Sequence, residues 1–118
     1  MRTDTRLRGA ALLYAAINHI IAHPETWDQA VTWHSQDGTQ HCVFGLCQIL
    51  AGLEPNHDDC FAEVRDLLGI CTPDAAWLCA PHRTLSQIRW FADELATGRV
   101  GMNGYVGESF RQEVEHGS

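Results

Sequence analysis

The stretch 43–51 restricts the fold more than any other part of the chain. Val43, Phe44, Leu46, Cys47, Ile49, Leu50 and Ala51 put apolar side chains on nearly every face of a helix. Such a helix belongs at the centre of a structure, so the remaining elements of the 118-residue chain must wrap around it. At that length the chain makes one domain and buries roughly two thirds of its unfolded surface. Gly45 interrupts the apolar run. A glycine inside a helix costs about 1 kcal/mol relative to alanine, so its presence predicts that another backbone crosses closely there, as at a close helix crossing. The helix is expected over about 41–51, with Thr39 as N-cap and Gly52 just past its end.

The other helix signals lie on either side. Leu7, Ala11, Tyr14, Ala15, Asn18 and Ile21 follow helical spacing, widened by Leu12, Leu13, Ile17 and Ile20. They predict a first helix from Arg2 to Ala22, capped by Thr3 or Asp4 and stopped by Pro24. Asn56 or Asp58 caps a third helix to Leu68, ended by Gly69. Thr72-Pro73-Asp74 opens a short fourth helix through Cys79. Thr84 and Gln87 have the spacing of a capping box, which starts a fifth helix ending at Gly98. The fold expected is therefore all-α: a small orthogonal bundle of about five helices around the central apolar one. Residues 1–98 form this helical domain, and 99–118 are a Gly-rich C-terminal tail containing Tyr105.

Between the first two helices, residues 24–40 carry Trp27 and Trp33 and the turn-forming Asp37-Gly38. Two indoles in a connection predict a loop that folds back and packs on the helices, since burying each contributes several times ~0.8 kcal/mol. A short hairpin, with 26–32 and the Gln40 side flanking Asp37-Gly38, is the alternative, although neither arm alternates.

Charge and residue types exclude several functions. All eight basic residues are arginine, which rules out a lysine Schiff base and a P-loop lysine. A net charge of −7 opposes nucleic-acid binding by counterion release. The acids are scattered along the chain, as in a protein kept soluble by charge, rather than gathered into a DNA-mimicking face. No apolar run approaches the ~20 residues of a spanning helix and the start lacks a signal-peptide core, so a cytoplasmic protein without membrane contact is expected.

Five cysteines, an odd number without a paired C-x-x-C framework, argue against a disulfide scaffold. Cys42 stands apart because it enters the central helix. The first turn of a helix offers free amides and a positive dipole end, which lower a thiol's pKa. His41 adjoins it but diverges around the helix, so His34 from the folded-back loop, or His19, is the better-placed base. Cys42, His41 and His34 are thus the candidate catalytic residues, and the packed cysteine of an apolar core is the plainer alternative. A zinc site from His19, His23, His34, His41 and Cys42 is a further reading. The i, i+4 pair His19 and His23 suits it, yet no H-E-x-x-H motif and no finger-like spacing is present. Cofactor-free chemistry is therefore expected. Trp27, Trp33, His19 and Tyr105 are candidates for an interaction surface or pocket, since tryptophan is a typical interface anchor.

From His23 onward the order of signals resembles a group of small proteins from actinobacteria and bacteriophages. Their pattern is a His-Pro-Glu-like turn, a Trp-containing loop, a Cys-Gly-Thr-x-His-Cys-like entry into an apolar helix with an internal glycine, and a Leu-Gly-Leu/Ile element. It is matched here by His23-Pro24-Glu25-Thr26-Trp27, Trp33-His34, Gly38-Thr39, His41-Cys42-Val43, Gly45 and Leu68-Gly69-Ile70. The cysteine before Gly-Thr is absent, with Ser35 and Gln36 in that neighbourhood, so a metal site or disulfide using it is closed to this chain. The resemblance implies no activity, because none is established for the group. The reading that follows is a small accessory or interaction protein, phage-related or anti-defence in setting. It would bind a protein partner or a small molecule, or pair with itself as a homodimer. The alternative is a cysteine-dependent enzyme of acyl transfer, hydrolysis or cyclisation.

Overall fold

The structure, a computed structural model, describes residues 7–98. Over that span the fold is all-α: five helices, α1 (Gly9–Ala22), α2 (Val43–Leu50), α3 (Cys60–Leu68), α4 (Thr72–Leu78) and α5 (Leu85–Ala96), with a 3-10 turn at Pro24–Thr26. Tyr105, Thr3, Asp4 and the expected C-terminal tail lie outside the described residues.

Of the eight residues of α2, Val43 to Gln48 are buried without a gap. Helix α1 is the hub of the packing, lying along α2, α3 and α5. It buries Leu12, Leu13, Ala16, Ile17 and Ile20, a stripe of spacing one, three, one and three, against them. The expected centre is therefore shared: α2 is the most deeply enclosed helix, and α1 touches the most neighbours.

The helix ends show which local signals carried through. Thr84 Oγ1 accepts from Gln87 N and Gln87 Oε1 from Thr84 N, so the capping box at α5 is complete. Gly69 closes α3 in the left-handed region at φ 72°, as the sequence requires. Pro73 sits in the first turn of α4 with Cys71 as N-cap.

Three starts differ from expectation. Helix α3 begins at Cys60 with Asp59 as N-cap, not Asn56 or Asp58, and the Asn56 side chain instead accepts from the Asp59 amide. Helix α1 begins at Gly9 and not at Arg2, because Gly9 takes φ 57°, which breaks the helical path behind it. Helix α2 begins at Val43, with Cys42 as an extended N-cap, while Thr39 turns its hydroxyl to Asp37. The reason for the delay is that His41 is held in bridge pairings to Trp27 and to His34, which fix its backbone outside the helix.

Helices α1 and α5 are clasped at the surface. The Tyr14 hydroxyl donates to Asp93, and Arg89 lies against both the Tyr14 ring, 5.7 Å away, and Asp93, at 3.5 Å. The hydrogen bond to Asp93 leads the causes that raise the Tyr14 pKa. On the α4–α5 side, Trp77 packs against Phe91 and Trp90, and the buried Arg83 lays its guanidinium 4.0 Å from the Trp77 ring centre.

Candidate functional site

The loop from Trp27 to Cys42 is pinned to the core from both ends by buried glutamines. Gln29 Oε1 accepts from the Trp27 indole N–H and from the amide of Val43, the first residue of α2. Its Nε2 donates to the carbonyls of Leu78 and Ala80 at the end of α4. One side chain thus joins the loop, α2 and α4, and every polar atom it buries has a partner.

The second half of the loop turns back on itself at residues 35–40. Gly38 N donates to Ser35 O, Ser35 N to Gln40 O, and His34 and His41 face each other as an antiparallel bridge pair. Asp37 gathers the turn by accepting from Ser35 Oγ, Thr39 Oγ1 and Thr39 N, and these bonds, the Ser35 hydroxyl first, hold its carboxyl down at about 2. The hairpin alternative therefore exists in miniature, but its first arm is Trp33 to Ser35 and not 26–32.

Gly45 explains how the loop sits so close. A Cβ there would stand 2.0 Å from the Trp33 carbonyl oxygen and 3.1 Å from Nδ1 of His34. The close backbone expected at Gly45 is real, and it belongs to the loop, not to a crossing helix. Trp33 reaches this position with φ 62°, a conformation that costs a non-glycine residue about 1–3 kcal/mol. Its indole offsets this by stacking on Phe44 and packing at a tilt against Phe61, with ring centres 6.1 and 6.0 Å away. Its carbonyl accepts the amide of Cys42.

Above Gly45 runs a chain of polar side chains that crosses three elements. His41 Nδ1 and His34 Nδ1 are 2.9 Å apart, and His34 Nε2 is 2.8 Å from Gln48 Oε1. Gln48 Oε1 also accepts the backbone amide of Asn56, and Gln48 Nε2 donates to Glu63 Oε1 on α3. The amide of Asn56 can only donate, so it identifies the Gln48 atom beside it as oxygen. His34 Nε2 must then carry the proton, His34 Nδ1 is an acceptor, and the proton between the rings belongs to His41 Nδ1. Both nitrogens of His34 are engaged, and the free lone pair lies on His41 Nε2. His57 joins from the other side by donating Nε2–H to the His34 carbonyl, its ring edge-on to that of His34.

Sequence reasoning named His34 and His41 but missed Gln48, Glu63, His57 and Gln29. The one available signal was Gln48 itself: a long polar side chain inside an otherwise apolar helix has to find buried partners.

Cys42 behaves differently from the expected activated thiol. It is 1% exposed, and burial raises its pKa against the lowering pull of the amides of Gly45, Phe44 and Trp33. Desolvation outweighs the helix end, because a thiolate in an apolar surround loses more solvation than a few amides return. No hydrogen bond among the described residues links its sulfur to His34, His41 or His19. The other four thiols are also pushed up by burial, Cys60 to about 12 and Cys79 to about 11.

His19 lies on α1, half-buried, with its ring centre 5.1 Å from that of His23. His23 approaches Glu25 at 3.7 Å. Together with Cys42, His34 and His41 these were the ligands of the zinc reading. Among the described residues no group of three or more His, Cys, Asp or Glu side chains is placed to hold a metal ion. Trp27 and Trp33 both pack on the core and are half-buried, so each offers only part of its ring to a partner.

Two surface recesses flank the region. One, of about 210 Å³, is lined by Arg8, Leu53, Glu63, Asp66 and Leu67; the other is a shallow depression over Ser35, Gln36, Asp37 and Gln40. Neither is lined by Cys42. No helix among the described residues is long and apolar enough to cross a membrane. Comparison with protein-family models, with curated proteins and with solved structures finds no match.

Proposed function

We propose that this chain is a small accessory binding module that presents its Trp-bearing loop, residues 27–42, to a protein partner, a second copy being the simplest such partner. The observation that carries this reading is the saturation of the polar groups. His34 spends both ring nitrogens on the fold, Gln29 and Gln48 bond on both ends, and the Cys42 thiol is enclosed with a raised pKa. A loop so fully bonded to its scaffold is preorganised, and preorganisation lowers the ordering cost of association. Ile21, 60% exposed in the last turn of α1 just before the loop, supplies an apolar contact at its edge.

Cysteine chemistry is the second reading, supported by the amides of Phe44 and Gly45 directed at the Cys42 sulfur. In that case His41, with its unengaged Nε2, is the histidine able to take a proton, in place of His34.

Native thiol labelling over a pH series separates the two. The binding module requires Cys42 to react no faster than the buried Cys47 and Cys60, and more slowly than the half-exposed Cys71 and Cys79. A Cys42 that outpaces all four with a depressed pKa would overturn it in favour of the enzyme. Sedimentation over a concentration series, with Ile21→Arg as the disrupting variant, then tests self-association.

A further inference from the structure

The polar chain across α2 has a property that neither reading of function uses. It is built on two imidazoles that share one proton. The neutral pair carries two ring protons: one on His34 Nε2, bonded to Gln48, and one between the two Nδ1 atoms. A third proton goes to His41 Nε2, outside the bond, and leaves the contact intact. A fourth has only one place to go, the second Nδ1, and would set two N–H groups against each other across 2.9 Å.

We propose that the His34–His41 pair is a proton-operated latch on the loop 27–42, closed when the pair carries no more than one added proton and released by the second. The opening follows from where the pair sits. His41 N donates to Thr26 O, His41 O accepts from Asp28 N, and Cys42 N reaches Trp33 O, so parting the rings pulls on both strands of the loop at once. The strained Trp33 backbone is held by the same contacts and favours release once they weaken.

The surroundings set the sense of the response. His57 from the segment before α3 stands edge-on to the His34 ring, and His19 from α1 is among the groups whose charge lowers the His41 pKa. Glu63 of α3 answers from the far end, through Gln48. Asp37 is turned to its own loop by Ser35 and Thr39, Asp28 to the amide of Ala30, and Glu25 toward His23, so none of these carboxylates bonds to the rings. In agreement, the His41 pKa is lowered, by burial first and then by His34 and His19.

The test is made on the whole chain by NMR. Long-range proton–nitrogen spectra at about pH 8 should show His34 and His57 protonated on Nε2 and His41 on Nδ1. On acidification to about pH 4.5, intrinsic-rate-corrected exchange protection at the amides of Ser35, His41 and Cys42 should fall on the order of tenfold relative to α5. In His41→Asn the side-chain amide stands where Nδ1 was and can turn to donate or accept, so protection of Ser35 and Cys42 should become independent of pH over that range. Should this variant not fold, the wild-type tautomers and the wild-type exchange decide the matter by themselves. His41 found on the Nε2–H tautomer at neutral pH, loop and α5 losing protection in parallel, or an undiminished response in His41→Asn would each overturn the latch. None of these outcomes bears on the labelling test of Cys42 at neutral pH, so the two proposals fail separately.

Discussion

The α4–α5 region and the loop that enters α2 are both well buried, but they are held by opposite kinds of interaction. Around α4 and α5 the fold rests on apolar contact and local signals: Trp77 on Phe91, Arg83 over Trp77, a complete capping box at Thr84. Around the loop it rests on polar side chains that bridge residues far apart in sequence, from Gln29 to Leu78 and Ala80 and from His34 to Gln48. Apolar contacts degrade gradually when a side chain is trimmed, whereas a buried polar network loses a partner all at once. The loop side should therefore be the more sensitive to small changes in sequence and in pH.

The largest effect is expected from Gly45→Ala. The added methyl would lie 2.0 Å from a backbone oxygen, which no rotamer can relieve, so the loop must lift off α2. Denaturant unfolding should register a loss at or above the upper end of the ~1–3 kcal/mol that overpacking costs. A loss below about 1 kcal/mol, the range of a simple helix-propensity change, would mean that the loop does not rest on Gly45 in solution.

Gln48→Leu comes next. It preserves the size and the apolar character of α2 but strands His34 Nε2–H and the amide of Asn56, both of which bond to the lost oxygen. Each buried donor left without a partner costs about 1–3 kcal/mol, so a loss of about 2 kcal/mol or more is expected, with the His34 ring resonances shifted. An unchanged or higher stability would show that water replaces the amide, and the contrast between the two regions would shrink accordingly.

On the other side, Thr84→Ala removes one half of the α5 capping box and should cost about 1 kcal/mol. The loss should stay local, with faster amide exchange in the first turn of α5 and no change at Cys42 or Ser35. An effect that spreads to the loop would mean that the two regions are energetically coupled.

The same contrast decides what was legible in the sequence. The α4–α5 region was readable because its signals act within four residues: Pro73 at a helix start and Thr84 paired with Gln87, local in the same way as Gly69 at positive φ after α3. The all-α class and the folded-back loop were readable because tryptophans and an all-apolar helix have to be buried. Gly45 announced a close backbone, but nothing in its neighbours says whose, since Trp33 lies twelve residues earlier and reaches it only through a loop with positive φ. The Cys42 environment was misjudged for an energetic reason. The sequence shows the helix end that lowers a thiol pKa, and only the packed structure shows the desolvation that raises it more. His34 and His41 could be named as a pair of interest, yet their bonding to each other, and not to the thiol, depends on Gln48, Asn56 and Glu63, which three separate segments supply.

The smallest effect belongs to Asp37 at the tip of the loop. Its carboxylate accepts three hydrogen bonds from Ser35 and Thr39, which lower its pKa to about 2. An unfolded aspartate titrates near ~3.9, so between these two values the unfolded state binds more protons than the folded one. The contribution of Asp37 is therefore complete above about pH 4 and lost as the pH falls toward 2. Asp37→Asn keeps an acceptor for Ser35 and Thr39 and removes the titration, so its stability should fall less steeply than wild type across that window while matching it near neutrality. The carboxylate is exposed, so the difference should also diminish with added salt. Identical slopes for the two proteins would mean that the turn at residues 35–39 is not held by its side-chain bonds. The stability of the loop would then rest on the pairing of the buried His34 with the half-buried His41 and on Gln29 and Gln48 alone.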